Sequence, residues 1–306
     1  MKHLIDLKDL TSPEIRDILH TAVQIKKSPD SYRHALSGKT LAMIFQKAST
    51  RTRVSFEVGM YQLGGIGLYM SSRDLQIGRG EPVSDTARVL SRYVHAVMAR
   101  VFDHQQLIDL ARYSSVPIIN GLSDHSHPCQ ALADYLTIWE KKGRLVDLKV
   151  AYIGDGNNMA HSLLEGAVKL GVHFAAATPP SYEMNGSVVS SAQKEAEVSG
   201  SYVILTHHPE EAVTNADIIY TDVWASMGQE AESEQRKSAF LGFQVNAELM
   251  KRAAPDCLFM HCLPAHRGEE VSEEVIESPQ SIIFDQAENR LHVQKAILLL
   301  LMQNGP

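Results

Sequence analysis

Short apolar runs bounded by polar turns recur along the chain at residues 40–45, 67–70, 95–100 and 116–120. A second series follows at 148–153, 173–178, 202–206, 217–222 and 258–261. Runs of this length between turn residues read as buried strands. Between them, apolar residues recur every three or four positions, notably over 82–93, 104–113 and 128–142, which is the helical period. Thr11-Ser12-Pro13-Glu14 announces the first helix through a capping-box pattern with an early proline. A final apolar helix over 293–302, within a terminal segment of about 288–306, is expected to return and pack on the first domain. Strand and helix alternating in this way predict an α/β protein of parallel sheets flanked by helices.

A length of 306 residues is long for one core, so two domains are expected. The polar break Lys141-Lys142-Gly143-Arg144 places the boundary so that residues 1–142 form one domain and 143–287 the other. Open parallel sheets bind ligands at the carboxyl ends of their strands, and the chemically rich residues fall there. Arg100 closes one strand, and His125, His127 and Gln130 follow the next. In the second half Asp155, Asn157 and Asn158 follow a strand, Asp222 closes one, and Cys262 follows another. The expected active site is therefore the cleft between the domains.

One junction stands out: Phe45-Gln46-Lys47-Ala48-Ser49-Thr50-Arg51-Thr52-Arg53-Val54-Ser55-Phe56. A strand ends, and helical spacing of apolar residues begins near Val54. Ser49 and Thr50 stand at the expected N-cap, where backbone N–H groups and the helix dipole favour anions. Arg51 and Arg53 add planar forks that match phosphate oxygens. The segment reads either as a phosphate site or as a solvated, capped helix start. It lacks the glycines and terminal Gly-Lys-Ser/Thr of a P-loop.

Composition narrows the classes. Apolar residues make up 44% and charged residues 21%, as in ordinary soluble proteins. A net charge of −7 argues against dependence on nucleic acid or an anionic membrane, so anion-binding arginines must act locally. No stretch is apolar enough to span a bilayer, and the N-terminus lacks a signal-peptide core. The three cysteines make no paired framework, and a reducing cytoplasm is expected.

Gly154-Asp155-Gly156-Asn157-Asn158-Met159 begins like a dinucleotide fingerprint but has Met159 at the third glycine, which argues against a nicotinamide cofactor. The spacings of His125, His127, His261, Cys262 and His266 do not form a standard zinc set, so no metal is expected. Ser126-His127-Pro128-Cys129 also reads as a packed loop before a helix. Cys262 reads either as a buried structural thiol or as a functional one. Leu263-Pro264 is a candidate cis peptide. Asp222-Val223-Trp224-Ala225-Ser226-Met227-Gly228 reads as a loop that either covers a ligand or is anchored by its apolar residues.

In order, Ser49-Thr50-Arg51-Thr52-Arg53, His127-Pro128-Cys129-Gln130, Asp222 with Ser226-Met227-Gly228, and His261-Cys262-Leu263-Pro264 resemble the signatures of the aspartate/ornithine carbamoyltransferase family. The resemblance covers nearly the whole chain. It implies transfer of the carbamoyl group of carbamoyl phosphate to the side-chain amine of L-ornithine, giving L-citrulline and phosphate, with no cofactor. It makes the first domain the carbamoyl-phosphate domain and the second the ornithine domain. It implies that Ser49, Thr50, Arg51, Thr52 and Arg53 hold phosphate, and that Arg100, His127 and Thr52 polarise the carbonyl. Gln130 would bind the amide, Gln76 would reach carbamoyl phosphate in a neighbouring subunit, and Arg290 would close the site. Asn158, Asp222, Ser226 and Met227 match ornithine-binding positions, and Cys262 and Leu263 match carbamoyl-phosphate positions as well, with Asp222, Cys262 and the Leu263 carbonyl orienting the amine. The minimal unit so implied is a homotrimer. Within the family, an aspartate enzyme uses a lysine in the loop that corresponds to residues 71–81, and none occurs here. Carbamoylation of putrescine or an acylated ornithine remains the near alternative, and a nicotinamide-dependent oxidoreductase the distant one. The reaction direction, biosynthetic or degradative, is left open by the resemblance.

Overall fold

The computed structural model describes residues 1–71, 75, 80–225 and 232–303. The chain forms two compact units, Met1–Leu136 with Glu288–Pro306, and Thr137–Ala287.

The first unit contains α1 (Ser12–Lys27), β1 (Thr40–Phe45), α2 (Thr50–Gln62), β2 (Ile66–Ser71), α3 (Val83–Leu90), β3 (Ala96–Arg100), α4 (His104–Tyr113) and β4 (Ile118–Leu122), and α5 (Pro128–Lys142) begins in it. Its sheet is wholly parallel with strand order β2-β1-β3-β4. Strands β1 and β3 are buried along nearly their whole length, whereas the edge strand β2 is largely open to solvent. The strand order reverses between β1 and β3, and Phe45 pairs with Arg100 there. Gln46 N–H continues the pairing to the Arg100 carbonyl at 2.8 Å. The polar turn after β1 therefore starts beside the end of β3, at the point where parallel sheets bind ligands.

The second unit contains β5 (Lys149–Ile153), α6 (Asn158–Leu170), β6 (His173–Ala177), α7 (Gly186–Ser199), β7 (Val203–Thr206), α8 (Pro209–Val213), β8 (Ile218–Thr221), α9 (Ser233–Ala239), α10 (Ala247–Met250), β9 (Leu258–His261) and α11 (Glu273–Ile276). The long helix α12 (Ile283–Gln303) follows and supplies the return segment of the first unit. The second sheet is also parallel, with order β7-β6-β5-β8-β9. Ile153, Thr221 and His261 stand in register across β5, β8 and β9. The residues that follow them thus leave the sheet side by side. A core of Ile153, Ile219, Trp224, Phe240 and Phe259 backs this end of the sheet.

Two helices differ from the sequence expectation, and a third follows its expected cap rather than its apolar spacing. Helix α2 starts at Thr50, at the N-cap expected at Ser49 and Thr50 and ahead of the apolar spacing that begins near Val54, because Ser49 caps it by accepting from the Thr52 N–H at 3.3 Å. Its first turn carries no apolar residue, so periodicity cannot reveal it. Helix α3 ends at Leu90, short of the expected 93. Helix α12 begins at Ile283, before both the expected helix at about 288 and its apolar stretch from 293, and its first turns bury Gln286, Asn289 and Arg290. Buried polar residues hide a helical face from a hydrophobicity pattern.

Both glycines of the partial fingerprint have local structural reasons. Gly154 has φ 143°, a conformation disfavoured for residues with a Cβ. A Cβ on Gly156 would lie 2.3 Å from Met184 N and 2.4 Å from Glu183 C, both backbone atoms that cannot step aside. Gly156→Ala should therefore destabilise the protein by about 1–3 kcal/mol, the range for forced overpacking. Denaturant unfolding checks this, and an unchanged midpoint would show that the 182–184 backbone yields.

Candidate active-site residues

In the first unit the end of β1, the end of β3, the start of α5 and helix α12 bring five side chains together. Thr52, on the first turn of α2, is 1% exposed, and its Oγ1 accepts from Ser49 Oγ at 3.0 Å. The same oxygen receives Arg100 Nη1 at 3.5 Å and Arg290 Nη2 at 3.2 Å. Arg290 Nη1 also donates to Gln130 Oε1 at 2.5 Å, and Gln130 Nε2 donates to Asp134 Oδ1 at 2.7 Å. Thr52, Arg100, Gln130 and Arg290 are all buried. His127 is buried in the same corner. Burial first, then the charges of Arg290, Arg100 and Arg51, push its imidazole well below the ordinary histidine value. The ring is therefore neutral at physiological pH and carries one N–H donor.

This corner can hold a dianion. Two guanidinium groups meet on one hydroxyl, a third bears on the neighbouring histidine, and the capped start of α2 adds helix N–H groups. Arg53 is not drawn into it. Its Nε pairs with Glu57 at 3.2 Å, and its guanidinium lies 3.9 Å over the Tyr69 ring, on an exposed face. Thr50 is exposed at the helix start. Gln76 lies outside the described residues. His125 packs its ring against His104 at 4.9 Å.

In the second unit the register of β5, β8 and β9 assembles a second group. Asp222 accepts from Cys262 Sγ at 3.1 Å, from Asn157 Nδ2 at 3.1 Å and from the Val223 N–H at 2.9 Å. Asn157 caps α6, its Oδ1 accepting from the Met159 and Ala160 N–H groups. Those donors are the ones a pyrophosphate would need, which removes the physical basis of the nicotinamide reading. Asn158 opens α6 beside this cap. Ser226 and Met227 lie outside the described residues.

Cys262 differs from the other cysteines. Burial pushes the Cys129 and Cys257 thiols up to about 12, whereas Cys262 is partly exposed and bonded to a carboxylate. The turn after it is held from behind. His261 Nδ1 accepts from the Leu263 N–H at 2.8 Å, and its Nε2 faces the buried Glu270 carboxylate at 3.2 Å. Leu263 adopts φ 57° there, and Leu263–Pro264 is cis, as the sequence leads one to expect. Asp222, His261 and Cys262 bring possible ligand atoms within 4.8 Å, but both His261 nitrogens are already engaged, which does not suit a metal.

Three supporting residues, Asp134, Glu270 and Arg236, and the capping role of Asn157 were not singled out from the sequence. Asp134 sits one helical turn beyond Gln130, a spacing that periodicity could have flagged. Glu270, Asp155's partner Arg236, and the capping role of Asn157 arise from tertiary contacts. Arg236 Nη1 bonds Asp155 Oδ2 at 3.0 Å and the Trp224 carbonyl at 2.9 Å, tying the turns after β5 and β8 together.

Profiles of the aspartate/ornithine carbamoyltransferase family match both halves of the chain, the carbamoyl-P binding domain over residues 2–140 and the Asp/Orn binding domain over 146–301. The chain is 60% identical over 304 residues to an ornithine carbamoyltransferase from Thermococcus kodakarensis, covering 98% of this chain and 96% of that protein. It is 59% identical over 303 residues to a Pyrococcus furiosus protein described as ornithine carbamoyltransferase, anabolic, covering 98% and 96% of the two chains. A solved structure of ornithine carbamoyltransferase from Pyrococcus furiosus superposes with a TM-score of 0.96, covering 99% of this chain and 97% of that one.

Asp155 yields a pH prediction. Although Arg236 lies close and opposes the shift, burial dominates and raises its carboxyl from 3.8 to about 6. A folded-state value above the unfolded one stabilises the fold below pH ~4, and that contribution is lost as pH rises through about 6. A shift of this size corresponds to about 3 kcal/mol. Asp155→Asn should therefore gain on the wild type by roughly that amount between pH 4 and 7.5 in urea unfolding. A difference independent of pH would show that Asp155 does not titrate as described.

Proposed function

The chain belongs to the aspartate/ornithine carbamoyltransferase family, and on that premise we propose how its residues carry out carbamoyl transfer. The reaction is carbamoyl phosphate plus L-ornithine giving L-citrulline and phosphate. The observation that carries the residue assignment is the meeting of Arg100 and Arg290 on Thr52 beside a neutral His127.

Ser49, Thr50, Arg51 and Thr52 hold the phosphate, with the start of α2 contributing backbone N–H groups. Arg53 contributes through its place in that turn rather than its guanidinium, which is engaged by Glu57. Arg100, His127 and Thr52 polarise the carbamoyl carbonyl, where negative charge grows as the amine adds. A neutral His127 suits this role, because it donates a hydrogen bond without adding a further cation beside three arginines. Gln130 reads the carbamoyl amide, and Arg290 steadies both Gln130 and the phosphate. Gln76 is assigned to a neighbouring subunit's carbamoyl phosphate.

Asn158, Asp222, Ser226 and Met227 bind ornithine. An alkyl ammonium has a pKa near ~10, so the attacking amine must lose a proton. Asp222 attracts the ammonium, while Cys262 and the Leu263 carbonyl orient the nitrogen. The bound ammonium first gives one proton to solvent; in the transfer step a C–N bond forms, the C–O bond to phosphate breaks, and the departing phosphate takes the second proton from the nitrogen.

The assembly is assigned as a homotrimer or a multiple of it. The support is exposed apolar surface at this edge of the first sheet, Tyr69 on the α2 side of β2 and Ile66 and Leu68 on its other side, with Val54 and Tyr61 of α2 also exposed, which suits cover by a second copy. No helix among the described residues is long and apolar enough to cross a membrane. The three free cysteines support a reducing cytoplasm, and the biosynthetic direction follows the name of the Pyrococcus furiosus relative.

Formation of the carbamoylated product from carbamoyl phosphate, citrulline in the case of ornithine, assayed with ornithine, aspartate, putrescine and an acylated ornithine as acceptors, tests the reading. Ornithine should be the preferred amine by orders of magnitude, and preference for any other would overturn it. Within that assay Arg51→Ala should raise the KM for carbamoyl phosphate about tenfold or more, through loss of charge-assisted bonds. Cys262→Ser should lower kcat more than carbamoyl phosphate affinity. If instead the variant merely melts earlier with its turnover intact, Cys262 is structural.

A further inference from the structure

Behind His127 lies a polar cluster that the proposed chemistry does not use. Ser126, next to His127 in the loop before α5, donates its hydroxyl to Asp6 Oδ1 from the N-terminal segment. The same hydroxyl accepts from Asn120 Nδ2 of β4 at 2.9 Å. Asp6 Oδ2 faces His104 Nε2, at the start of α4, at 3.1 Å. His104 Nδ1 lies 2.8 Å from Ser123 Oγ, which in turn accepts from the Ser126 N–H at 3.2 Å. Ser123 N–H closes the loop on the Ser126 carbonyl at 2.9 Å. Asp6, Asn120, Ser123 and Ser126 are each at most 1% exposed.

Buried polar groups bonded to one another fix one geometry sharply, because a displacement that breaks a bond leaves an unsatisfied group in a low-dielectric interior. Here three separate segments converge on the residue preceding His127. We propose that Asp6, His104 and Ser126 are positioning residues that set the direction of the His127 imidazole for carbamoyl transfer.

The carboxylate end of the network stays charged. Burial alone raises the Asp6 carboxyl, but hydrogen bonds from His104 and Ser126 outweigh it and hold the value down at about 2. Lys8 lies 3.4 Å from the same carboxylate oxygen as His104. The His125 ring packs at a tilt against His104, and Asp124 anchors the first N–H of α4 at 3.0 Å. A permanent carboxylate that accepts from both Ser126 and His104 is a fixed point against which the loop is set. A misdirected His127 would lose its bond mainly in the transition state, where the carbonyl oxygen is most negative, so the effect belongs in kcat.

The proposal rests on the carbamoyl-transfer reading for its kinetic arm and stands apart from it in a spectroscopic one. Ser126→Ala, Ser126→Thr and His104→Gln are compared with the wild type well below each melting midpoint. Ser126→Ala should lower kcat about tenfold and leave the KM for ornithine within about twofold, as expected for loss of a transition-state contact. Ser126→Thr, which keeps the hydroxyl, should recover most of the loss. The His127 ring resonances in a 15N–1H spectrum should move in Ser126→Ala and return in Ser126→Thr, whichever amine the enzyme uses. A folded Ser126→Ala protein with unchanged kcat and unmoved His127 resonances overturns the proposal. Should Ser126→Ala not fold, His104→Gln gives the same two readings, and an unaltered kcat and ring signal there overturn it equally. A wild type that makes no citrulline would overturn the activity reading instead, leaving the ring resonances to decide this one.

Discussion

Two buried guanidinium groups on a single threonine hydroxyl are the constraint around which the first unit is arranged. Like charges this close repel, and their desolvation costs more as water is excluded. The fold offsets the cost with neutral and negative neighbours placed around the corner. Thr52 accepts from both arginines, Gln130 passes the field of Asp134 to Arg290, and His127 stays neutral under the pressure of three cations. A dianionic ligand would supply the remaining negative charge. The same arrangement that suits a phosphate thus keeps the histidine neutral.

The topology delivers this corner. In the first sheet the strand order reverses between β1 and β3, and Arg100 and the Ser49 cap emerge on either side of that point. In the second sheet the reversal lies between β5 and β8, and Asn157 and Asp222 emerge there in the same way. The two groups use opposite logic. The first gathers cations to receive an anion, whereas the second offers one carboxylate, steadied by Cys262, Asn157 and the Val223 N–H, to receive an ammonium. Charge gathered locally in this way lets a protein of net charge −7 present an anion-binding corner without a basic surface.

The strands were legible because their apolar runs are short, continuous and ended by polar turns. β1 falls over Thr40–Phe45, where the pattern put it, and the other strand positions agree within a residue or two at their ends. The first turns of α12 were not legible, because they bury polar side chains, whereas the start of α2 was legible through its Ser49 cap and not through apolar spacing. Arg53 shows the limit of motif reading: two residues from Arg51 in the same signature, it turns outward to Glu57 and Tyr69, since neighbours on a helix point to different faces. Glu270, Arg236 and the Asp6 network lay beyond any local signal, since each acts through partners distant in sequence.

The central claim is that Arg100, Arg290 and neutral His127 form one electropositive corner that binds the phosphate-bearing substrate. Calorimetric titration of a non-hydrolysable carbamoyl phosphate analogue into the wild type and Arg290→Gln at several salt concentrations tests it. Wild-type binding should weaken as salt rises, and Arg290→Gln should bind at least about tenfold more weakly with a shallower salt dependence, as expected when one charge-assisted contact is removed. Equal affinity and equal salt dependence in the two proteins would contradict the account.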